Sequence, residues 1–125
     1  MTAVVYTTLG KAWVVDKVDN TVGAATFYGG WGTGGSSTGG TATAGNTTLF
    51  AEATEARVVT TNSQPAADTN QWVFTIISGS IKVVEEAGVF AGTSTATTML
   101  IRGSHGGVVL ATGDSVQYTV TLQQT

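Results

Sequence analysis

The sequence predicts a mainly β protein, built as an antiparallel β-sandwich or a jelly-roll-like fold. Short segments of alternating apolar and polar residues recur along the C-terminal half, and glycine-rich turns separate them. Strands at this spacing, with little helix signal, are typical of antiparallel two-layer folds. The chain has 125 residues and no cysteine. We therefore expect a single β-sandwich domain over residues 1–125, whose core is formed without disulfides.

The N-terminal part carries a helix signal. Leu9, Ala12, Trp13 and Val18 recur at helical spacing, Thr7 or Thr8 is a candidate N-cap, and Asn20 falls where such a helix would stop. The β-branched residues in the same stretch leave a strand as the alternative for residues 9–18. We therefore expect a short helix near the N-terminus.

The next segment combines a short strand with a long loop. Residues 26–28 predict a strand, and a Gly/Ser/Thr-rich loop follows at about residues 29–46. This composition provides too little apolar surface to order the segment by itself. We expect the loop to stay mobile until it docks on a partner. A helical turn is predicted at residues 48–52 and a strand at residues 56–61.

The central region predicts a loop followed by a hairpin. Residues 62–70 contain the only proline, Pro65, and are expected to be a loop. Residues 71–78 carry apolar side chains on both faces, which predicts a strand covered on both sides, with Trp72 in the core. Gly79 and Ser80 predict a turn, and residues 81–86 a returning strand, so we expect a hairpin.

The C-terminal third predicts several strands. Short strands are expected at residues 89–90, 97–102 and 108–110, with glycines as punctuation between them. The last strand is the clearest, because residues 115–123 alternate strictly and a Gly-Asp turn signal precedes them. We expect its buried face to consist of Val116, Tyr118, Val120 and Leu122.

Charged residues are scarce in this chain, and their scarcity disfavours some classes of function. Five Lys/Arg against eight Asp/Glu give a net charge of −3, and charged residues make up 10% of the chain, against about 25% in ordinary soluble domains. This balance does not favour binding to nucleic acid or to an anionic membrane. The chain shows no membrane span and no basic leader, so we expect a soluble, unexported protein. A surface so poor in charge suits a protein that is docked against others.

No catalytic group of residues emerges from the sequence. A hydrolytic triad would place the single histidine, His105, beside a serine and a carboxylate, for which Ser104, Ser115 and Asp114 are the candidates. Asp114 and Ser115 more simply stabilise the turn before the last strand. We therefore expect no enzymatic activity, with a hydrolase that uses His105 as the least favoured alternative.

The carboxylates predict structure rather than chemistry. Glu85 and Glu86 are adjacent on a predicted strand and should point to opposite faces, so they cannot flank one substrate. Three further residues predict charge pairs or turn hydrogen bonds, namely Glu52, Glu55 and Arg57.

No cofactor or metal site is predicted. The glycine-rich run at residues 29–35 lacks the lysine and the following helix of a phosphate-binding loop. The acidic stretch at residues 16–20 lacks the spacing of an EF-hand loop. We therefore expect neither a cofactor nor a metal ion.

Several short motifs recur in a recognisable order. The blocks are YGGWGTG at residues 28–34, NTTLF at 46–50, EATEAR at 52–57, EAGVF at 86–90, MLIR at 99–102 and GDSVQYTV at 113–120. This order resembles a family of small structural proteins from the virions of tailed bacteriophages. Members of that family typically show a GWGTG block, an EAGLF block and a C-terminal GDSxQxT strand. The resemblance covers roughly residues 27 to 122.

The resemblance implies a β-sandwich that assembles into the particle without catalysis. It implies a cement or decoration protein on the exterior of the phage head, made in the host cytoplasm, that stabilises contacts between subunits of the major capsid protein. Such proteins are usually homo-oligomers, with a trimer favoured here, and no nucleic-acid or membrane partner is expected. The alternative is a neck, tail or fibre protein with a receptor- or ring-binding role. The candidate interface residues are Tyr28, Gly30, Trp31, Gly32, Thr33 and Gly34.

Overall fold

The computed structural model describes residues 3–12, 26–94 and 97–123. Within these ranges the chain forms two antiparallel sheets, which confirms the predicted mainly β, sandwich-like fold. The five-stranded sheet contains, in spatial order, β1 (Ala3–Tyr6), β7 (Met99–Leu110), β6 (Lys82–Phe90), β2 (Tyr28–Gly32) and β3 (Val58–Val59). The three-stranded sheet contains β4 (Thr61–Ala66), β5 (Thr69–Ile77) and β8 (Ser115–Gln123).

The inner faces of the two sheets share one hydrophobic core. β5 and β8 contribute alternate residues to it, as expected from the two-residue period of a strand. Trp72 is part of this core, as predicted. Phe74 of β5 stacks on Tyr118 of β8, with ring centroids 5.3 Å apart. The buried core residues are Trp31, Trp72, Phe74, Ile76, Val84, Ala87, Val89, Leu100, Ile101, Leu110, Tyr118 and Val120.

Residues 8–12 are helical, which agrees with the predicted N-terminal helix as far as the described residues extend. Thr7 is the N-cap, because its Oγ1 accepts a hydrogen bond from the backbone N–H of Gly10 at 2.9 Å. The same hydroxyl is fully buried and donates to the backbone carbonyl of Met99 at 2.5 Å. This contact fixes the helix start against β7. The predicted helical positions Trp13 and Val18 and the predicted stop at Asn20 lie outside the described residues.

The prediction for β5 is right about its existence and wrong about its surroundings. Trp72, Phe74 and Ile76 are buried, whereas Thr75 and Ile77 on the other face are exposed, so the strand is covered on one side only. The predicted hairpin with residues 81–86 is also wrong. β5 pairs with β4 and β8, while β6 pairs with β2 and β7, so the turn after β5 carries the chain from one sheet to the other.

The proline-containing segment is a strand, not the predicted loop. Residues 61–66 form β4, which pairs with β5 through a two-residue turn. Between Ser63 and Ala66 the register shifts by one residue, which places a bulge at Gln64 and Pro65. Proline is compatible with a strand at a bulge or on a sheet edge, where its missing N–H leaves no partner unpaired. β4 lies on such an edge.

β7 is one long strand rather than several short ones. The glycines expected to interrupt it lie inside it instead. Gly103 pairs with Ala87, and Gly106 and Gly107 lie in a bulge between the pairs Val84–Val108 and Glu86–Ser104. β6 therefore advances two residues where β7 advances four. The bulge also changes which way β6 side chains point. Val84, Ala87 and Val89 all face the core, so the alternation breaks at the two glutamates between them.

The other face of the five-stranded sheet is covered by residues 33–57, called here the cover segment. Leu49 of this segment is buried with Phe90 and Met99 of the sheet. The segment contains a short 3₁₀ helix, Ser36–Thr38, and an isolated bridge between Gly32 and Glu52. Residues 48–52 do not form the predicted helical turn. The strand predicted at residues 56–61 is reduced to β3.

Candidate functional site

The candidate interface residues begin in β2, so the predicted loop at about residues 29–46 starts inside a strand. Gly30, Trp31, Gly32 and Gly34 are buried within the protomer. Tyr28 is half-buried and Thr33 is exposed. In this conformation a partner can therefore reach only these two side chains of the predicted interface.

The cover segment is fastened by a fully buried ion pair between Glu86 of β6 and Arg102 of β7. The guanidinium Nε lies 2.9 Å from Oε1 of Glu86, and both side chains are at most 1% exposed. The carboxylate also accepts the backbone N–H groups of Gly34, Phe50 and Ala51, at 3.1, 2.7 and 2.7 Å. One carboxylate thus binds both ends of a loop that is about seventeen residues long.

Arg102 completes this attachment from the neighbouring strand. Its guanidinium donates to the backbone carbonyls of Gly34 at 3.3 Å and Gly40 at 2.5 Å, and to Oδ1 of Asn46 at 3.0 Å. Every buried polar side-chain atom in the described part of the chain has a hydrogen-bond partner. The expectation that this segment orders only on docking is therefore corrected, because charged groups of the sheet hold its backbone in the free protomer.

The two adjacent glutamates act on the same side of the sheet, contrary to the prediction that they face opposite ways. Glu85 accepts the backbone N–H of Ser37 at 3.2 Å and also its hydroxyl, while Glu86 binds the segment nearby. The bulge between β6 and β7 causes this arrangement, since it breaks the alternation at this point. Both carboxylates are buried and engaged with backbone groups of the cover segment.

Glu52 and Arg57 form the predicted charge pair. The guanidinium binds the carboxylate in a bidentate manner, with two nitrogen–oxygen distances of 2.8 Å. It also stacks over the ring of Phe90 at 3.4 Å and donates to the backbone carbonyls of Gly92 and Ser94. Arg57 therefore ties the end of the cover segment to the turn that follows β6.

Glu55 forms a third attachment, with Lys82 of β6. Its carboxylate accepts the indole N–H of Trp31 and the backbone N–H of Gly79, both at 2.9 Å, and pairs with the Lys82 ammonium. Burial alone would raise the pKa of Glu55. The hydrogen bonds from Lys82, Gly79 and Trp31 outweigh it and lower the pKa to about 2.

This low pKa predicts a pH-dependent effect of Glu55→Gln. We expect the variant to be about 1–2 kcal/mol less stable than the wild type at pH 7. The difference should be present above the ordinary carboxyl pKa of 4.5 and shrink as the pH falls towards 2, because only the unfolded chain takes up a proton in that window. Thermal unfolding from pH 7 to pH 2 measures it. A difference that stays constant over this range would contradict the assignment, and Lys82→Met should shift the acid-induced loss to higher pH.

The candidate catalytic residues His105, Ser104 and Asp114 each form hydrogen bonds with a different part of the chain. The ring nitrogens of His105 contact the Tyr118 hydroxyl at 2.9 Å and the Gly106 carbonyl at 2.7 Å. Ser104 is fully buried, and its Oγ accepts the backbone N–H of Ala42 at 3.1 Å. Asp114 accepts the backbone N–H of Ala111 at 2.8 Å, which is the turn role that the sequence predicts.

Burial chiefly raises the pKa of the Tyr118 phenol, with the negative charge of Glu86 adding to the effect. The hydroxyl therefore stays protonated beside the His105 ring. Among the described residues, no cluster of three or more His, Asp or Glu side chains is arranged to hold a metal ion.

The outward face of the three-stranded sheet, called here the open face, is covered by no other described residue. Paired residues of its strands share this face, for example Val73 with Thr119 and Thr75 with Gln117. None of its side chains is charged. They are Thr61, Ser63, Thr69, Gln71, Val73, Thr75, Ile77, Ser115, Gln117, Thr119, Thr121 and Gln123.

A second accessible feature is a shallow hollow of about 490 Å³ beside Tyr28. Its other lining residues are small and mostly carry hydroxyls, including Thr26, Thr93, Ser94 and Thr97. In this hollow the half-buried ring of Tyr28, a residue of the predicted interface, lies next to a group of hydroxyls.

No helix among the described residues is long and apolar enough to cross a bilayer. Comparison of the chain with protein-family models, with curated proteins and with solved structures gives no match.

Proposed function

We propose that this protein is a structural, non-enzymatic component of a tailed-phage virion. It docks on the exterior of the head as a cement or decoration protein and stabilises contacts between major capsid protein subunits. Three observations favour this role. They are the ordered set of motifs from residue 28 to residue 120, the open face, and the distribution of charge.

The open face is the observation that carries the proposal. It offers a sheet surface in which β-branched side chains alternate with hydroxyls and amides, and Ile77 at one end is 64% exposed. Covering an uncharged surface removes no ionic group from water, so docking avoids the large desolvation cost of a charge. Such a surface suits broad contact with a protein shell.

The distribution of charge supports the same role. The charged side chains of the cover segment and of the strands beneath it are used to hold that segment on the sheet. They stiffen the protomer from inside, so little conformational entropy remains to be lost on docking. Many copies on one shell then add modest contacts into tight attachment.

Thr75→Lys is expected to weaken binding to capsids about tenfold or more. Thr75 is exposed in the central strand of the open face, so the lysine leaves the fold intact but would place an unpaired charge in the docked interface. Co-sedimentation with capsids that lack this protein measures the effect.

Thr48→Lys is the matched control, because Thr48 is exposed on the cover segment, on the opposite side of the sandwich. This variant should bind capsids like the wild type. Docking through the open face would be refuted if the wild-type protein does not bind such capsids. It would also be refuted if the Thr75→Lys variant binds them as tightly as the wild type.

The hollow beside Tyr28 favours a second candidate, a neck, tail or fibre protein that binds a receptor. An aromatic ring among hydroxyls is a surface on which a sugar ring can stack and form hydrogen bonds. Gold-labelled antibodies on the parent particle separate the two candidates. Label spread over the head supports the cement role, and label confined to the neck, tail or fibres supports this second one.

A further inference from the structure

β8 presents the longest unprotected sheet edge in the described part of the chain. Its nine residues pair with β5 on one side, and no described strand pairs on the other. In an antiparallel ladder every second residue directs its N–H and C=O away from the neighbour. A regular row of backbone donors and acceptors therefore runs along this edge with no partner strand among the described residues.

The other three edges that the described strands form are short or interrupted. β3 has two residues and β1 has four. β4 has six, but Pro65 and a bulge interrupt it. β8 lacks the features that usually protect a sheet edge. It contains no proline, no bulge, no lysine and no other charged residue.

We propose that β8 pairs antiparallel with β8 of a second copy of this chain, around a two-fold axis at Thr119. The two three-stranded sheets then join into one six-stranded sheet. This pairing does not rest on the virion role, and it requires only the protein itself.

The register follows from the side-chain period of the strand. Residues directly opposite in an antiparallel ladder must point to the same face, so the axis has to pass through a residue and not between two. An axis at Thr119, the middle of Ser115–Gln123, gives the longest overlap. Tyr118 then faces Val120 of the second copy on the core side, and Gln117 faces Thr121 on the open face.

The neighbouring sheet contributes an apolar contact at the same edge. Val4 of β1 is 51% exposed and lines a shallow groove of about 250 Å³ with Thr119, Val120 and Thr121. A second β8 laid along this edge covers the groove and buries Val4. The edge of β8 and the exposed side chain of Val4 therefore lie side by side, so that one added strand contacts both.

The same features favour a dimer over the trimer that the family resemblance implies. A closed ring of three copies would join β8 of one copy to a different edge of the next. The edge available in the same sheet is β4, where Pro65 lacks an N–H and the bulge breaks the register. Pairing of β8 with itself meets neither obstacle.

Single cysteines test the register, because the chain has no cysteine of its own. With the axis at Thr119, Thr119→Cys places two thiols directly opposite, at a spacing that a disulfide can bridge. Gln117→Cys is the matched control, since its two copies would lie about 13 Å apart along the ladder. Mild oxidation should crosslink the first variant into a dimer and leave the second uncrosslinked.

Lysine variants test the pairing without oxidation. Thr119→Lys brings two like charges opposite each other and should weaken dimerisation about tenfold or more, whereas Thr75→Lys in the central strand should leave it unchanged. Sedimentation equilibrium measures the mass, and thermal unfolding confirms that each variant is folded. A wild-type monomer or trimer, equal crosslinking of both cysteine variants, or a fully dimeric Thr119→Lys protein would overturn the proposal.

Discussion

Arg102→Met is expected to lower the free energy of unfolding by about 3–5 kcal/mol, because it leaves the carboxylate of Glu86 buried without a counter-charge. Glu86 is inaccessible to solvent, so water cannot replace the guanidinium. The change also removes the donors to the carbonyls of Gly34 and Gly40 and to the side chain of Asn46. A loss of this size is a large fraction of the stability of a typical domain.

Arg57→Met is the matched control for this prediction. Arg57 also pairs with a carboxylate, but its partner Glu52 is 24% exposed and regains water when the arginine is removed. We expect this variant to lose about 1–2 kcal/mol. Urea unfolding at pH 7 compares the two. Equal losses would show that burial of the Glu86–Arg102 pair does not control the stability of the cover segment.

Individual strands were predictable where one side of the strand is buried and the other is open. β8 begins and ends at the predicted residues, Ser115 and Gln123, and its buried face is the predicted one. Such a strand displays a two-residue period in its own sequence, so no knowledge of its neighbours is needed.

Strand pairing was not predictable in the same way. A turn signal at Gly79 shows that the chain changes direction and does not show which sheet it enters. β5 ends there, and β6 continues in the other sheet. In the same way Pro65 reads as a loop residue, because only the tertiary structure reveals that β4 is an edge with a bulge.

The order of the cover segment escaped prediction for a different reason. A prediction from composition depends on how much apolar surface a segment can bury. A Gly/Ser/Thr run buries little, so it is predicted to be mobile. Here backbone groups of Gly34, Phe50 and Ala51 bind a buried carboxylate instead. A signal was present in the sequence: Arg102 directly follows Met99–Ile101, and a lone charge beside an apolar strand segment in so uncharged a chain indicates a buried ion pair.

Most residues of the candidate interface are buried in the protomer for the same reason. Glycines and a tryptophan in one motif suggest a flexible surface with an aromatic anchor. Trp31 is instead 1% exposed, and the glycines let the cover segment approach the sheet closely. The accessible uncharged surface lies on the opposite side of the sandwich, in strands that the sequence predicts well. No sequence pattern reveals that the rest of the described chain leaves this surface uncovered.

Close approach of the cover segment to the sheet predicts a second large effect, for Gly35→Ala. A Cβ at Gly35 would lie 2.4 Å from the Cβ of Glu85 and 2.5 Å from its backbone oxygen. Neither atom can be moved by turning a side chain, because both are fixed by β6. The methyl group must therefore push the cover segment away from the sheet and strain the contacts between Ser37 and Glu85. Overpacking of this kind typically costs 1–3 kcal/mol, and we expect about 2–3 kcal/mol here.

Gly45→Ala is the control for Gly35→Ala, since a Cβ at Gly45 would have no atom within 4 Å. Its stability should stay within about 0.5 kcal/mol of the wild type. Hydrogen exchange at the amides of Phe50 and Ala51, which bind Glu86, separates local release from global unfolding. These amides should lose protection in Gly35→Ala before those of β8 do. A Gly35→Ala protein with wild-type stability and unchanged exchange would mean that the cover segment does not lie against β6 in solution. The glycine-rich run would then act as the mobile docking loop that its composition predicts.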